Sequence, residues 1–339
     1  MRAGGGASVA AYAAVVSGPR RARASFSFSE RTPVVLLRSK LVALLVLAAA
    51  VGSACAPEAE RGSPRGTLAT DHDDFGAPLP SDATDATRVV SLNPAFTEIV
   101  FAIGAGERLV GRTSWDNRPA AALAITDVGA GIRPNVEAVL ATRPTLVLLY
   151  ATAENRGAAE ALERAGVRTL ALRTVTIGDF RRAARSLGVA LGAEPAATAL
   201  VDSIDGTLAA VQDAVRGVQR PRVVWTSWES PVMVVGAGSY EAELLALAGA
   251  ENVFAERAEP VATVTVEEIA RRDPALVLAG PDRVARLRES PTWRAVSAVR
   301  DGRLLVLDTA VIGRPGVAIG MAAVSIARAL HPERADRLP

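Results

Sequence analysis

Any chemistry in this chain must come from aromatic rings, arginines and carboxylates, because imidazole and thiol are nearly absent. Its 339 residues include two histidines and one cysteine. His72 precedes the folded part and His331 lies near the C-terminus, so no histidine pair can hold a metal. A single cysteine permits neither an intrachain disulfide nor a cysteine-rich metal site. The sequence has no His-x-x-x-His, Cys-x-x-Cys or G-x-S-x-G, and Gly129-Ala130-Gly131 and Gly236-Ala237-Gly238 lack the third glycine of a dinucleotide fingerprint. An enzyme on this scaffold is therefore the weaker alternative, whereas capturing a ligand without turnover needs none of these groups. The residues suited to capture follow the ends of predicted strands: Asn93, Phe96, Ser114, Trp115, Tyr150, Trp228, Glu229 and Arg314. In open α/β sheets ligands bind outside the carboxyl ends of the strands, and flat rings there offer a face to a flat guest. Each ring could equally pack beneath its own loop.

Two further carboxylates stand in equivalent places. The run from Val136 to Leu148 lines up without gaps on the run from Val266 to Leu278, always 130 positions later. Each run reads as a short helix, a proline corner and a buried strand, and puts Glu137 and Glu267 at the second helical position. A carboxylate there offsets the helix macrodipole, and Thr265 with Glu268 is predicted to form a capping box. Position alone thus gives both glutamates a structural role.

The element that must hold these groups apart is a long helix predicted over Pro195–Val218. Leu200, Ile204, Leu208, Val211, Val215 and Val218 recur at alternating steps of four and three residues, which makes one apolar stripe. Pro195 suits the first turn, while Gly217 and Pro221 end the pattern. At 1.5 Å per residue such a helix spans roughly 33 Å, enough to cross a small domain. On either side strands and helices alternate, which predicts two Rossmann-like α/β lobes with mostly parallel sheets. The predicted organisation is a leader over 1–54, a tether over 55–87, an N-terminal lobe over 88–193, the bridging helix over 194–219 and a C-terminal lobe over 220–339.

The formal charge of +2 conceals an uneven distribution. Residues 1–54 carry seven basic side chains and one acidic one, net +6, which leaves −4 for the remainder. With no basic stripe interleaved with aromatics, the folded part offers nothing to nucleic acid. Arg38-Ser39-Lys40, an apolar run from Leu41 to Val51 and Gly52-Ser53-Ala54-Cys55 follow the charged, apolar, small-residue order of a secretory signal. The apolar run is too short to span a bilayer permanently. The leader before Thr32 reads as unstructured, and a start nearer Val34 or Val35 is expected. From Ala56 to Thr87 the composition, rich in Pro, Gly, Asp, Ser and Thr, predicts a disordered tether.

These motifs together carry a resemblance. Small residues before a lone cysteine resemble a bacterial lipobox, with Gly52 at a position usually occupied by leucine, which implies cleavage before Cys55 and lipidation of its thiol. Asn93-Pro94-Ala95-Phe96-Thr97-Glu98, the run from Pro134 to Leu148 and Leu244 to Phe254 resemble the ABC-importer substrate-binding proteins for cobalamin, iron siderophores and haem, over roughly Arg88 to Leu330. The resemblance implies two lobes bridged by one stiff helix, with Glu137 and Glu267 docking onto arginines of a permease dimer that works with ATPase subunits. Gly111-Arg112-Thr113-Ser114-Trp115-Asp116, Tyr150 and Trp228 are most similar to the cobalamin-binding branch, although Gly129-Ala130-Gly131-Ile132 stands where an aromatic is expected. A haem receptor would need Tyr150 as iron ligand, and a siderophore receptor would use Arg118, Arg133 or Arg314. The expectation is a monomeric lipoprotein, periplasmic or at the cell surface, that touches the membrane only through its lipid. It carries no cofactor of its own, and its ligand is cobalamin or another metal chelate.

Overall fold

The computed structural model describes residues 72–80 and 86–339. The predicted signal segment and the lipidation site at Cys55 lie outside the described residues. Among the described residues no helix is long and apolar enough to cross a membrane.

The N-terminal lobe comprises β1 (Val89–Ser91), α1 (Pro94–Ala102), β2 (Leu109–Gly111), α2 (Val136–Ala141), β3 (Leu146–Tyr150), α3 (Ala153–Arg164), β4 (Arg168–Leu172) and α4 (Ile177–Ala190). Its four strands are all parallel, in the order β2-β1-β3-β4. The apolar run Leu146–Tyr150 is buried at every position, as a central strand covered on both faces must be. Leu146 and Leu148 face one core cluster, while Val147 and Leu149 face another. Helix α3 begins at Ala153 and takes in Gly157, an interior position where glycine is tolerated at modest cost.

The long helix α5 (Glu194–Ala214) is unbroken, with Pro195 in its first turn. Its buried stripe is Ala197, Val201, Ile204, Leu208, Val211 and Ala214. Leu200, assigned to the stripe by spacing, is only partly buried, and Val201 beside it is the residue facing inward. One end of α5 packs on α4 and α1. The Gly188 hydrogen allows close approach there, since a Cβ on it would lie 2.6 Å from the Ala197 methyl.

The C-terminal lobe contains β5 (Arg222–Glu229), β6 (Val232–Val235), α6 (Tyr240–Leu247), β7 (Glu251–Asn252), β8 (Val261–Thr263), α7 (Val266–Arg272), β9 (Leu276–Ala279), α8 (Pro281–Glu289), α9 (Ser297–Arg300), β10 (Leu304–Val306), α10 (Thr309–Ile312) and α11 (Ile319–Leu330). Helix α5 packs on α11 and α6 of this lobe and therefore bridges the two. One core cluster runs without interruption from Val89 and Phe180 through the α5 stripe to Tyr240 and Ile326. The sheet, β10-β9-β5-β6-β8 with β7 beside β5, is mixed rather than parallel throughout. Strand β6 runs antiparallel to β5 because only Ser230 and Pro231 separate them, too few residues for a parallel crossover, and β8 pairs antiparallel with β6 in turn.

Composition predicts a disordered tether as far as Thr87, but residues 72–80 are docked on the N-terminal lobe. The Asp73 carboxylate is buried and accepts hydrogen bonds from the amides of Phe75, Ala77 and Ala171, and Asp74 N donates to Ala171 O. Strand β4 is the sheet edge, and this segment satisfies the open N–H and C=O of its Ala171. The Phe75 ring lies under the Arg156 guanidinium at 4.4 Å. An aspartate-rich stretch that would be disordered by composition is ordered by partners distant in sequence.

Candidate functional site

The carboxyl ends of β1, β3 and β4, the loops after β2 and before α2, and the loop after α10 enclose a cleft of about 240 Å³. Its wall combines N-lobe residues with Gly313-Arg314-Pro315 from the C-terminal lobe, so the cleft lies between the lobes. Four of the predicted ligand residues meet here: Asn93, Trp115, Tyr150 and Arg314. Asn93 also caps α1, its side chain accepting from Ala95 N at 2.9 Å.

Trp115 owes its position to Asp116, a buried carboxylate whose Oδ2 accepts from both the amide and the hydroxyl of Thr113 at 2.6 Å. The Thr113 hydroxyl in turn accepts from Trp115 N at 3.2 Å. Burial pushes the Asp116 carboxyl up despite these hydrogen bonds. The opposite wall depends on Asn155. Fully buried, it donates to Gly131 O at 2.9 Å and Tyr150 O at 3.0 Å and accepts from Arg133 N at 3.0 Å. It therefore fixes the strand end carrying Tyr150 together with the 131–133 turn, in which Arg133 adopts φ 51°. A Cβ on Gly131 would lie 2.2 Å from Leu92 O, which leaves this wall to backbone and Ile132 where an aromatic was expected.

Beside the cleft a buried charge cluster joins the lobes. Glu98 on α1, 3% exposed, accepts at Oε1 from Arg118 Nε at 3.2 Å and Nη2 at 3.0 Å, and Arg314 Nη1 stands 3.6 Å away. Arg314 also donates to Asn117 at 3.3 Å. Burial raises the Glu98 carboxyl against the opposing pull of Arg314 and Arg118, and lowers the Arg314 guanidinium. Arg314 nonetheless lines the cleft, where its guanidinium can donate to an anionic or carbonyl group of a ligand. The Tyr150 phenol is raised, chiefly by burial and then by the charge of Asp179, and stays protonated.

The other predicted residues lie elsewhere. Phe96 is fully buried in the core because it sits on the inward face of α1, so it packs and cannot touch a ligand. Ser114 is exposed and donates to Asp127 at 2.9 Å. Trp228 packs on Met233 and Val261, donates to Ser230 O at 2.9 Å and has Arg283 over its ring at 5.4 Å. Glu229 is held by Arg286 at 2.8 Å and Arg283 at 3.6 Å. Neither lines the cleft, although β5 ends on the same edge of the sheet as β10, two strands away.

Glu137 and Glu267 are exposed in the first turns of α2 and α7, capped by Asn135 and Thr265. Only half of the predicted capping box forms. Thr265 accepts from Glu268 N, while the Glu268 carboxylate turns to Arg257 and Arg272, which offer it charged partners. Sequence reasoning missed Asn155, Thr174 and the pairing of Glu98 with Arg314. The strand ends at Tyr150 and Leu172 pointed to the first two, but nothing local signals the third. Among the described residues no group of three or more His, Cys, Asp or Glu is placed to hold a metal ion.

Two α/β lobes, a cleft between them and a single helix spanning both define a ligand-capturing binding protein of the helix-bridged type. The chain belongs to the periplasmic binding protein family, whose profile matches residues 89–311. It is 24% identical over 309 residues to an uncharacterized ABC transporter substrate-binding lipoprotein, YvrC, of Bacillus subtilis (strain 168), covering 87% of this chain and 98% of that one. It is 28% identical over 207 residues to the vitamin B12-binding protein of Pectobacterium carotovorum, covering 59% and 74%. Among solved structures, the haem-binding protein RhuT from Roseiflexus sp. RS-1 superposes with a TM-score of 0.65 at 24% identity, over 72% of this chain and 99% of that one. The vitamin B12-binding protein BtuF of Vibrio cholerae gives 0.64 at 22% identity, over 73% and 98%. These two likenesses establish the fold. The protein is a periplasmic binding protein, a non-enzymatic component of transport.

Proposed function

We propose that this protein captures cobalamin, a bulky corrinoid, in the interlobe cleft and delivers it to an ABC permease dimer, acting as a monomer tethered through lipidated Cys55 at the periplasmic or outer face of a membrane. The carrying observation is the pair of rings, Trp115 and Tyr150, that line the cleft, the backbone of each held through a buried polar side chain, Asp116 by way of Thr113 and Asn155. A preorganised ring gives up little freedom when it stacks on a flat ligand, so its contact energy goes into affinity. Trp228 and Glu229, at the carboxyl end of β5, would meet the parts of a large ligand that overhang the cleft. The vitamin B12-binding relative supports this choice of ligand.

Glu137 and Glu267 are the docking carboxylates in this reading, exposed at equivalent helix starts, one on each lobe. A second reading, an iron-siderophore or haem receptor, draws on the cation Arg314 in the cleft wall, which suits an anionic chelate. Titration of purified protein with cyanocobalamin, haemin and a ferric siderophore, followed by Trp fluorescence, separates them. Cyanocobalamin is expected to saturate the signal, and Trp115→Ala to weaken it about tenfold. Saturation by haemin or the siderophore with no response to cyanocobalamin would reject the corrinoid assignment.

A further inference from the structure

The short segment that docks on β4 does more than cover a sheet edge. Asp74 Oδ2 accepts from Arg173 N at 2.7 Å and from the Arg182 guanidinium of α4, and its Oδ1 lies 3.4 Å from Arg173 Nε. Arg173 opens the loop between β4 and α4, and that loop serves two purposes. Thr174 lines the cleft. Val175 O accepts from Tyr240 N at 2.9 Å and Ile177 N donates to the Glu243 carboxylate at 2.7 Å, so the loop also forms a joint with the C-terminal lobe. Asp179 accepts the two amides between, Val175 N at 3.0 Å and Thr176 N at 3.1 Å. Three carboxylates from three parts of the fold therefore fix one loop: Asp74 before the first strand, Asp179 in α4 and Glu243 in the other lobe.

We propose that Asp74 is a positioning residue for ligand capture: the segment 72–80 clamps the Arg173–Ile177 loop, and through it sets Thr174 in the cleft wall and the joint between the lobes. The physical reason is the number of constraints on a short loop. Without Asp74 the amide of Arg173 and the guanidinium of Arg182 lose a charged acceptor at once. The remaining carboxylates grip only the far end of the loop, leaving its cleft end held by strand β4 alone. The segment Asp73–Ala77 is itself pinned by the buried Asp73 carboxylate, so Asp74 is presented from a rigid turn. The chain leading in from the N-terminus thus becomes part of the binding apparatus. This inference rests on the reading of the cleft as the ligand site.

The test uses the purified full chain and two readouts, amide exchange in the ligand-free protein and cyanocobalamin affinity. Asp74→Ala is expected to speed exchange over Arg173–Ile177 about tenfold and to weaken cyanocobalamin binding about tenfold, with exchange in α8 unchanged. Asp74→Asn keeps an oxygen for the Arg173 amide and should recover part of both. Phe75→Ala removes an apolar contact of the same segment, and should lower Tm while leaving exchange in the loop near wild type. Wild-type exchange over the loop in Asp74→Ala, or equal loosening in Phe75→Ala, overturns the proposal, because the segment then acts only through bulk packing. If the wild-type protein ignores cyanocobalamin, the corrinoid assignment fails, and the exchange comparison still decides whether Asp74 holds the loop.

Discussion

Removing the Glu98 carboxylate tests the charge cluster that joins the lobes. Glu98→Ala leaves the guanidinium groups of Arg118 and Arg314, 30% and 21% exposed, without their shared anion. At 3.6 Å the Arg314–Glu98 attraction alone is about 4–5 kcal/mol with an effective dielectric constant of 20. The desolvation that raises the Glu98 carboxyl opposes it, and burying a charge costs several kcal/mol in general. The intact cluster is therefore nearly neutral relative to an apolar replacement, but losing one partner is costly. Breaking a buried pair costs about 3–5 kcal/mol, and the partial exposure of both arginines reduces this to about 2–4 kcal/mol. Adding Arg314→Met to Glu98→Ala takes away the more buried orphan cation and should restore about 1–2 kcal/mol of that loss. Urea denaturation followed by far-UV circular dichroism gives both quantities as a double-variant cycle. A loss below about 1 kcal/mol in Glu98→Ala, or simple additivity in the double variant, would refute an energetically coupled bridge between the lobes.

Three other outcomes follow from the same geometry. Asn155→Ala leaves Gly131 O, Tyr150 O and Arg133 N without their partner and is expected to cost about 2–4 kcal/mol in denaturant melts, with a blue or red shift of Trp115 emission; a loss under about 1 kcal/mol contradicts its role in the cleft wall. Burial pushes Glu241 up to about 7 from 4.5, so the stability it contributes is complete below about pH 4.5 and is lost as pH rises through about 7. Glu241→Gln should therefore narrow the stability difference between about pH 5 and about pH 8 by about 2–3 kcal/mol, and an unaltered pH profile counts against it. Glu137→Arg combined with Glu267→Arg should abolish uptake in cells while cyanocobalamin affinity stays within about twofold; an equal loss of affinity would remove the docking role.

The parts of this architecture legible in the sequence are those written by repetition. The α5 stripe recurs at helical spacing, although the helix stops at Ala214, short of Val218, and of the six positions read from sequence only Ile204, Leu208 and Val211 are buried within it; the paired runs beginning at Val136 and Val266 repeat helix, corner and strand. Local caps were legible too, since Asn93 and Asn135 precede helices and hydrogen-bond as such residues do. Strand β8 was not, because three residues next to Pro260 carry no period that could be read. Phe96 illustrates a second limit: an aromatic after a strand end suits a ligand or a core equally well, and only the rotation of α1 decides for the core. Residues 72–80 illustrate a third. Their order comes from Ala171, Arg173 and Arg182, about a hundred positions away, and composition describes a segment only in the absence of such partners.

The apolar cluster that threads both sheets through α5 makes the lobes thermodynamically inseparable. Each has an interior of its own on one side of its sheet, while the helices on the other side, α1 and α4 in one lobe and α6 and α11 in the other, share a single interior completed by the α5 stripe. Neither half can swing far from the other without wetting Val201, Leu208 or Val211, each of which holds about 1.5–3 kcal/mol of burial energy. Wide, spontaneous gaping is accordingly closed to this molecule as a way of discharging its cargo. In the reading proposed above, release then falls to the permease, which would hold both halves through Glu137 and Glu267 and work against that burial.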